Sequence, residues 1–197
     1  MAFRRSIKRI GISVALLLAC LLAGLLIVRH LRRADIANGT TPASLAIRSS
    51  SFSDGDRIPA QLTCGGMNLS PQITYSGEPA ATKSLAVVMD DQDSPFGFVH
   101  WLVYNIPTET HALAEGASSQ KKLPAGATEG KNSDDAEGYF GPCPPGSKPH
   151  RYVIRMYALD ISPGLAPGMT KQQLASAARG HILAEGQWTG LYGRSGN

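Results

Sequence analysis

Twelve residues, DDQDSPFGFVHW at 90–101, set three acids, a proline, a histidine and a tryptophan directly behind an apolar run, SLAVVM. Carboxylates and imidazoles beside a buried strand carry a desolvation penalty unless they are paired or used. Asp91, Asp93 and His100 are therefore candidate site residues. Further along, GYFGPCPPGSKPH (138–150) leads through Gly141 and Pro142 into His150, with Tyr152 two residues later. Two imidazoles, a phenol and an exposed backbone N–H at Gly141 would suit a small oxyanion. Each signal alone has a plainer reading: Asp-x-Asp as a strand-end turn, His100 beside Trp101 as a satisfied core residue, GPCPPG as a rigid loop. Convergence is what would make a site. The chain shows no complete nucleophile–base–orienter set, no metal-ligand spacing and no Gly-x-Ser-x-Gly, so neither metal nor cofactor is expected.

The elements that must position these residues are short strands. KSLAVVMDD (83–91), FVHWLVYNIP (98–107) and HRYVIRMYALD (150–160) are the strongest, with LAIRSSSF near the start of the domain and QWTGLYG (187–193) closing it. Side chains alternate along a strand, so Leu85, Val87, Met89 and Asp91 share one face. By the same rule His100 groups with Leu102 and Tyr104, and His150 with Tyr152, Ile154 and Met156; Arg151 and Arg155 take the opposite face. PGMTKQQLASAARGHILAEG (167–186) reads as the one helix, with Thr170 as its cap. Residues 109–149 read mostly as loop. The sum is a mainly β domain, sheet packed on sheet, with few helices.

The N-terminus is different. Arg4, Arg5, Lys8 and Arg9 precede a 19-residue stretch, Ile10 to Val28, without a charge, and Arg29, Arg32 and Arg33 follow it. Nineteen helical residues rise roughly 28 Å, one hydrocarbon core. The expected organisation is a basic N-terminus (1–9), a transmembrane anchor or uncleaved signal (10–28), a linker (29–45) and the β domain (46–197), with the domain outside the cytoplasmic membrane, in the periplasm. A cleaved signal peptide and a lipoprotein signal around LLAC (17–20) are the alternatives. The formal charge of +4 belongs to this segment: residues 1–33 hold 7 of the 19 Lys and Arg and no acid, leaving 12 basic against 15 acidic residues, a net of −3. A mildly acidic domain gives no support to a nucleic-acid partner. Cys64 and Cys143 both lie in loop-like sequence and no C-x-x-C occurs, which leaves two readings open: a disulfide or two small apolar side chains.

TCGGMNLSP (63–71), DQDSP (91–95), VHWLVYNIP (99–107), GYFGPCPPG (138–146), PHRYVIRMYALD (149–160) and LAEGQWTGLYGR (183–194) occur in order. Together they resemble the phosphatidylethanolamine-binding protein family, in particular its bacterial Raf-kinase-inhibitor-like branch. The resemblance implies a large antiparallel sheet packed on a smaller one, with a pocket at one end lined by Asp91, Asp93, His100, Gly141, Pro142, His150 and Tyr152. It implies a phosphate-like or phosphoethanolamine-like ligand. His100, Tyr152 and the Gly141 N–H would hold the phosphate, and Asp91 would face an ammonium group or share hydrogen bonds with a histidine. DQDSP departs from the family's Asp-Pro-Asp-Ala-Pro at Gln92 and Ser94. The chain also stops soon after Tyr192, so the kinase inhibition of animal members is not carried over.

The leading functional expectation is a non-enzymatic, membrane-anchored module that binds a small anion or a phospholipid headgroup. Two readings from other classes stand beside it. A regulator of a protease or another protein partner would use a mobile, apolar 109–137 loop. A phosphoesterase would use Asp91 with a histidine.

Overall fold

The structure, a computed structural model, describes residues 42–194. Nine strands and one α-helix occur among them: β1 Ala43–Ser44, β2 Ala46–Arg48, β3 Ile73–Ser76, β4 Ser84–Asp91, β5 Phe98–Ile106, β6 Ala112–Leu113, β7 Thr128–Glu129, β8 His150–Leu159, α1 Lys171–Ala177 and β9 Ile182–Tyr192. A six-stranded sheet runs β1-β9-β8-β4-β5-β7, and a three-stranded sheet runs β2-β3-β6. Every pairing is antiparallel except β1 with β9.

Leu85, Val87 and Met89 of β4, Trp101, Val103 and Ile106 of β5, and Tyr152, Ile154, Met156 and Ala158 of β8 join Ile47, Ile73, Tyr75 and Leu113 of the small sheet in one core. These positions are mostly branched or aromatic, the types that pack well on a pleated surface. The outer face of the large sheet is covered too, and all eight residues of β4 are buried. Tyr104 Oη donates to the Ala166 carbonyl at 2.7 Å and accepts from the Met169 N–H, which straps the segment before α1 over β5.

Two expectations are corrected. The fold class placed a transmembrane helix ahead of the sandwich; among the described residues no helix is long and apolar enough to cross a membrane. The fold is the mainly β domain, and residues 10–28 lie outside the described ones. The helix expected over 167–186 spans only Lys171–Ala177. Thr170 caps it in a capping box with Gln173. Gly180, at φ +78°, then turns the chain out of the helical path, and ILAEG becomes the first half of β9. Ten residues of β9 paired along β8 outweigh the helical periodicity of the stretch from Ile182 to Gly186.

Candidate ligand-binding site

One row across the large sheet carries the chemistry. Phe98 of β5 lies opposite Asp91 of β4, Asp91 opposite Tyr152 of β8, and Tyr152 opposite Gly190 of β9. His150 is two residues from Tyr152 on the same face, its ring stacked over the tyrosine at 6.4 Å between centroids.

His100 reaches this group through an irregularity. Met89 pairs with Trp101 and Asp90 with Val99, so β5 has one extra residue at His100. A bulge of this kind can turn two consecutive side chains toward one face. Accordingly Trp101 packs edge-on against Tyr139, and His100 edge-on against Tyr152 at 5.1 Å, both tyrosines belonging to the core. The strict alternation that groups His100 with Leu102 and Tyr104 is thereby corrected: those two residues lie on the outer face, and the bulge separates His100 from them. Phe98, at 4.6 Å, and Phe140, at 6.1 Å, complete an aromatic surround of the imidazole.

The hydrogen bonds fix both imidazoles. His100 Nδ1 lies 2.6 Å from the Phe140 carbonyl, which can only accept, so Nδ1 carries the proton. The Phe140 N–H returns a bond to the His100 carbonyl at 2.8 Å. His150 Nδ1 donates to Asp91 Oδ2 at 2.7 Å. Asp91 Oδ1 accepts from the N–H groups of Asp93 and Ser94 at 2.8 and 3.0 Å, an Asx-type turn that bends the chain away after β4. Asp91 is only 5% exposed, and these three bonds offset its desolvation. Burial holds the His100 imidazole below its ordinary pKa; the Phe140 carbonyl and the carboxylates Asp91, Asp90 and Asp134 pull the other way. Burial first, then the Asp91 charge, pushes the Tyr152 phenol upward, so it stays protonated. Its buried hydroxyl lies beside the Asp91 carboxylate but makes no hydrogen bond of full geometry among the described residues. An orphaned polar group of this kind costs about 1–3 kcal/mol, which a ligand oxygen would recover.

The loop that walls the site is sewn to residues 62–68. Cys64 and Cys143 form a disulfide, Cα atoms 5.5 Å apart across a separation of 79 residues. The Cys64 N–H donates to the Pro142 carbonyl at 3.3 Å and Tyr139 Oη donates to the Leu62 carbonyl at 2.7 Å. Gly141 packs so closely here that a Cβ would meet the Leu62 carbonyl oxygen at 2.6 Å. Its N–H is not exposed as expected: it donates to Asn68 Oδ1 at 2.7 Å. Asn68, at φ +56°, is the residue the sequence reading missed, although it lies within the TCGGMNLSP motif. Asx residues tolerate the left-handed region, which is the only signal that could have singled it out.

Asp93 turns outward. Both its oxygens engage Arg151, Oδ2 from Nε at 3.0 Å and Oδ1 from Nη2 at 2.7 Å, and the Arg151 N–H adds a third bond at 2.8 Å. These bonds to Arg151 lower its pKa to about 2. His100, His150, Tyr152 and Asp91 thus form one cluster; Gly141 and Pro142 stand in its wall, and Asp93 braces its rim. No group of three or more metal-ligating side chains occurs among the described residues.

A two-sheet β-sandwich with a small, aromatic, imidazole-lined site at one end is a binding scaffold. The Phosphatidylethanolamine-binding protein family profile matches residues 48–193, and the chain belongs to that family. A UPF0098 protein of Methanothermobacter thermautotrophicus is 42% identical over 149 residues, 75% of this chain and 98% of the relative. A Mycobacterium tuberculosis protein carrying the provisional designation lipoprotein LppC is 38% identical over 171 residues, 82% of each chain. The crystal structure of E. coli YbcL, described as a new member of the mammalian PEBP family, superposes with a TM-score of 0.73 at 30% identity, covering 78% of this chain and all of YbcL. Membership of this family is membership of a family of binding proteins.

Proposed function

We propose that this domain is a non-enzymatic binding module for a small phosphate-type oxyanion, with phosphoethanolamine as the headgroup that fits its chemistry. The observation that carries this reading is the unpartnered, buried Tyr152 hydroxyl set between two imidazoles whose Nδ1 atoms are both committed elsewhere. Tyr152 and His100 would hold the phosphate; His150, oriented by Asp91, would close the other side.

Two observations bear on the competing readings. His150 and Asp91 have the relation of a base and its orienter, yet no Ser, Thr or Cys side chain is hydrogen-bonded to either histidine among the described residues, so a covalent hydrolytic route has no nucleophile in place. Among the described residues the exposed large apolar side chains are Met67 and Phe96, and neither lies in the 109–137 loop that a protein-partner regulator would use. The Cys64–Cys143 disulfide favours an oxidising, extracytoplasmic compartment, and the lipoprotein designation of the mycobacterial relative favours association with a membrane.

Calorimetric titration of the full-length protein with phosphoethanolamine tests the reading, with Tyr152→Phe as the informative variant. Saturable binding weakened about tenfold or more by loss of one hydroxyl supports it, since a hydrogen bond to a charged partner is worth about 1.5–3 kcal/mol. Absence of heat, together with no competition by inorganic phosphate, would overturn it. Steady release of inorganic phosphate, abolished in Asp91→Asn, would make the protein an enzyme instead.

A further inference from the structure

An oxyanion needs donors, and the site has few standing ones. The Gly141 N–H is spent on Asn68. Arg151, the nearest guanidinium on β8, is spent on Asp93. His100 places its proton at Nδ1, on the Phe140 carbonyl, so its neutral ring presents a lone pair, not an N–H, at Nε2. The Tyr152 hydroxyl is the one donor left unengaged in the cluster. The His100 Nε2 lone pair and the Asp91 carboxylate facing a bare dianion would repel it.

We propose that oxyanion binding here is proton-coupled: the site holds its ligand only with one additional proton, taken from solvent and shared between a ligand oxygen and His100 Nε2. The site therefore selects oxyanions that carry or accept a proton, and Asn68 sets this selectivity by withholding the Gly141 N–H. The inference rests on the oxyanion reading above and specifies its protonation state.

The carboxylates whose charge acts on His100 are Asp91 and Asp90 of β4 and Asp134 of the loop after β7, while the rings of Tyr152, Phe98 and Phe140 pack around it. Burial lowers the His100 pKa, so the free site is neutral at His100 near pH 7 and the proton has to arrive with the ligand. The sign follows. Affinity is greatest at low pH and falls as pH rises, by about tenfold per unit where both His100 and the ligand are unprotonated.

The test is calorimetry on the full-length protein at pH 7.5, in buffers of different ionisation enthalpy, with two probes. Phosphoethanolamine can bring a proton of its own; glycerophosphoethanolamine, a diester, cannot, so its proton must come from solvent. The expected result is uptake of one proton per diester bound, and a dissociation constant that rises about tenfold between pH 7.5 and 8.5. In His100→Gln, whose amide supplies a permanent N–H, whatever affinity remains should lose its pH dependence. Diester binding without proton uptake would overturn the proposal and leave the oxyanion reading intact. Should neither probe bind, the oxyanion reading fails, and nitrogen NMR of the free protein still decides the donor inventory. An Nδ1–H tautomer at His100 agrees with it, and an Nε2–H tautomer there contradicts it.

Discussion

Asp90 and Asp91 are neighbours on one strand, equally buried at 3% and 5% exposure, and they do opposite things. Asp90 points to the outer face of the large sheet, where its Oδ2 accepts from Lys171 Nζ at 2.7 Å and Arg155 Nη1 at 3.4 Å. That cluster fastens α1 to the sheet. Asp91 points inward, accepts from two backbone N–H groups and His150 beside the Tyr152 phenol, and lies in the candidate site. The outer acid is compensated by two cations, both at Oδ2. The inner one is compensated by groups that still present an open imidazole nitrogen and an unbonded phenol. A 2-residue period converts one dipeptide into a structural ion cluster and a binding site. Asp93, beyond the strand end, belongs to neither face and only braces the turn through Arg151.

The comparison can be broken at several points. The largest effect on stability is expected from the disulfide, which lies on the inner side's loops. Reducing Cys64–Cys143, or replacing it with two serines, should cost about 4 kcal/mol in the chain-entropy picture. Because the same loops hold the Phe140 carbonyl against His100, affinity for phosphoethanolamine should fall with it. A melting temperature unchanged by reductant would show that the hydrogen bonds alone suffice. Next is Asp90→Ala, which leaves Lys171 and Arg155 without their acid. Lys171 is 41% exposed, so the loss should be about 1–2 kcal/mol by denaturant titration, below that of a fully buried pair. Affinity should stay within about twofold. Asp91→Ala should do the reverse in emphasis, weakening phosphoethanolamine by at least about tenfold as His150 loses its orienting partner. Equal effects of the two substitutions on affinity would erase the distinction between the faces.

The smallest effect concerns Asp93. Its folded pKa is lowered to about 2, so its contribution to stability is complete above the unfolded value near 4 and is lost as pH falls toward 2. Asp93→Asn should remove that part of the acid-unfolding slope by lowering stability at pH 7 modestly toward its low-pH value, the contact being solvent-exposed. An unaltered slope would show that the Arg151 contact is too exposed to matter.

Much of the sandwich was legible because strand signals are local. The three central strands begin and end within a residue of their expected bounds, and the parity of β4 and β8 placed Asp91, His150 and Tyr152 on the core face. What was not legible depends on partners far along the chain. Strict alternation grouped His100 with Leu102 and Tyr104 because a bulge is set by pairing with Asp90 and Met89, which sequence alone does not display. ILAEG follows a helix and was read into it, since the long ladder with β8 is a tertiary effect. Gly141 was expected to offer its N–H, and only the fold shows Asn68, 73 residues earlier, accepting it. Cys64 and Cys143 sit in loops whose approach no local pattern encodes.

The central claim is that the ligand is held on the His100–Tyr152 side of the cluster, with Asp91 acting through His150. A crystal structure of the phosphoethanolamine complex tests it most directly. The account predicts the phosphorus beside His100 Nε2 and the Tyr152 hydroxyl, with the Asp91–His150 bond intact. Phosphorus nearer to Asp91 than to His100, or a ligand bound on the outer face at Lys171 and Arg155, would contradict it.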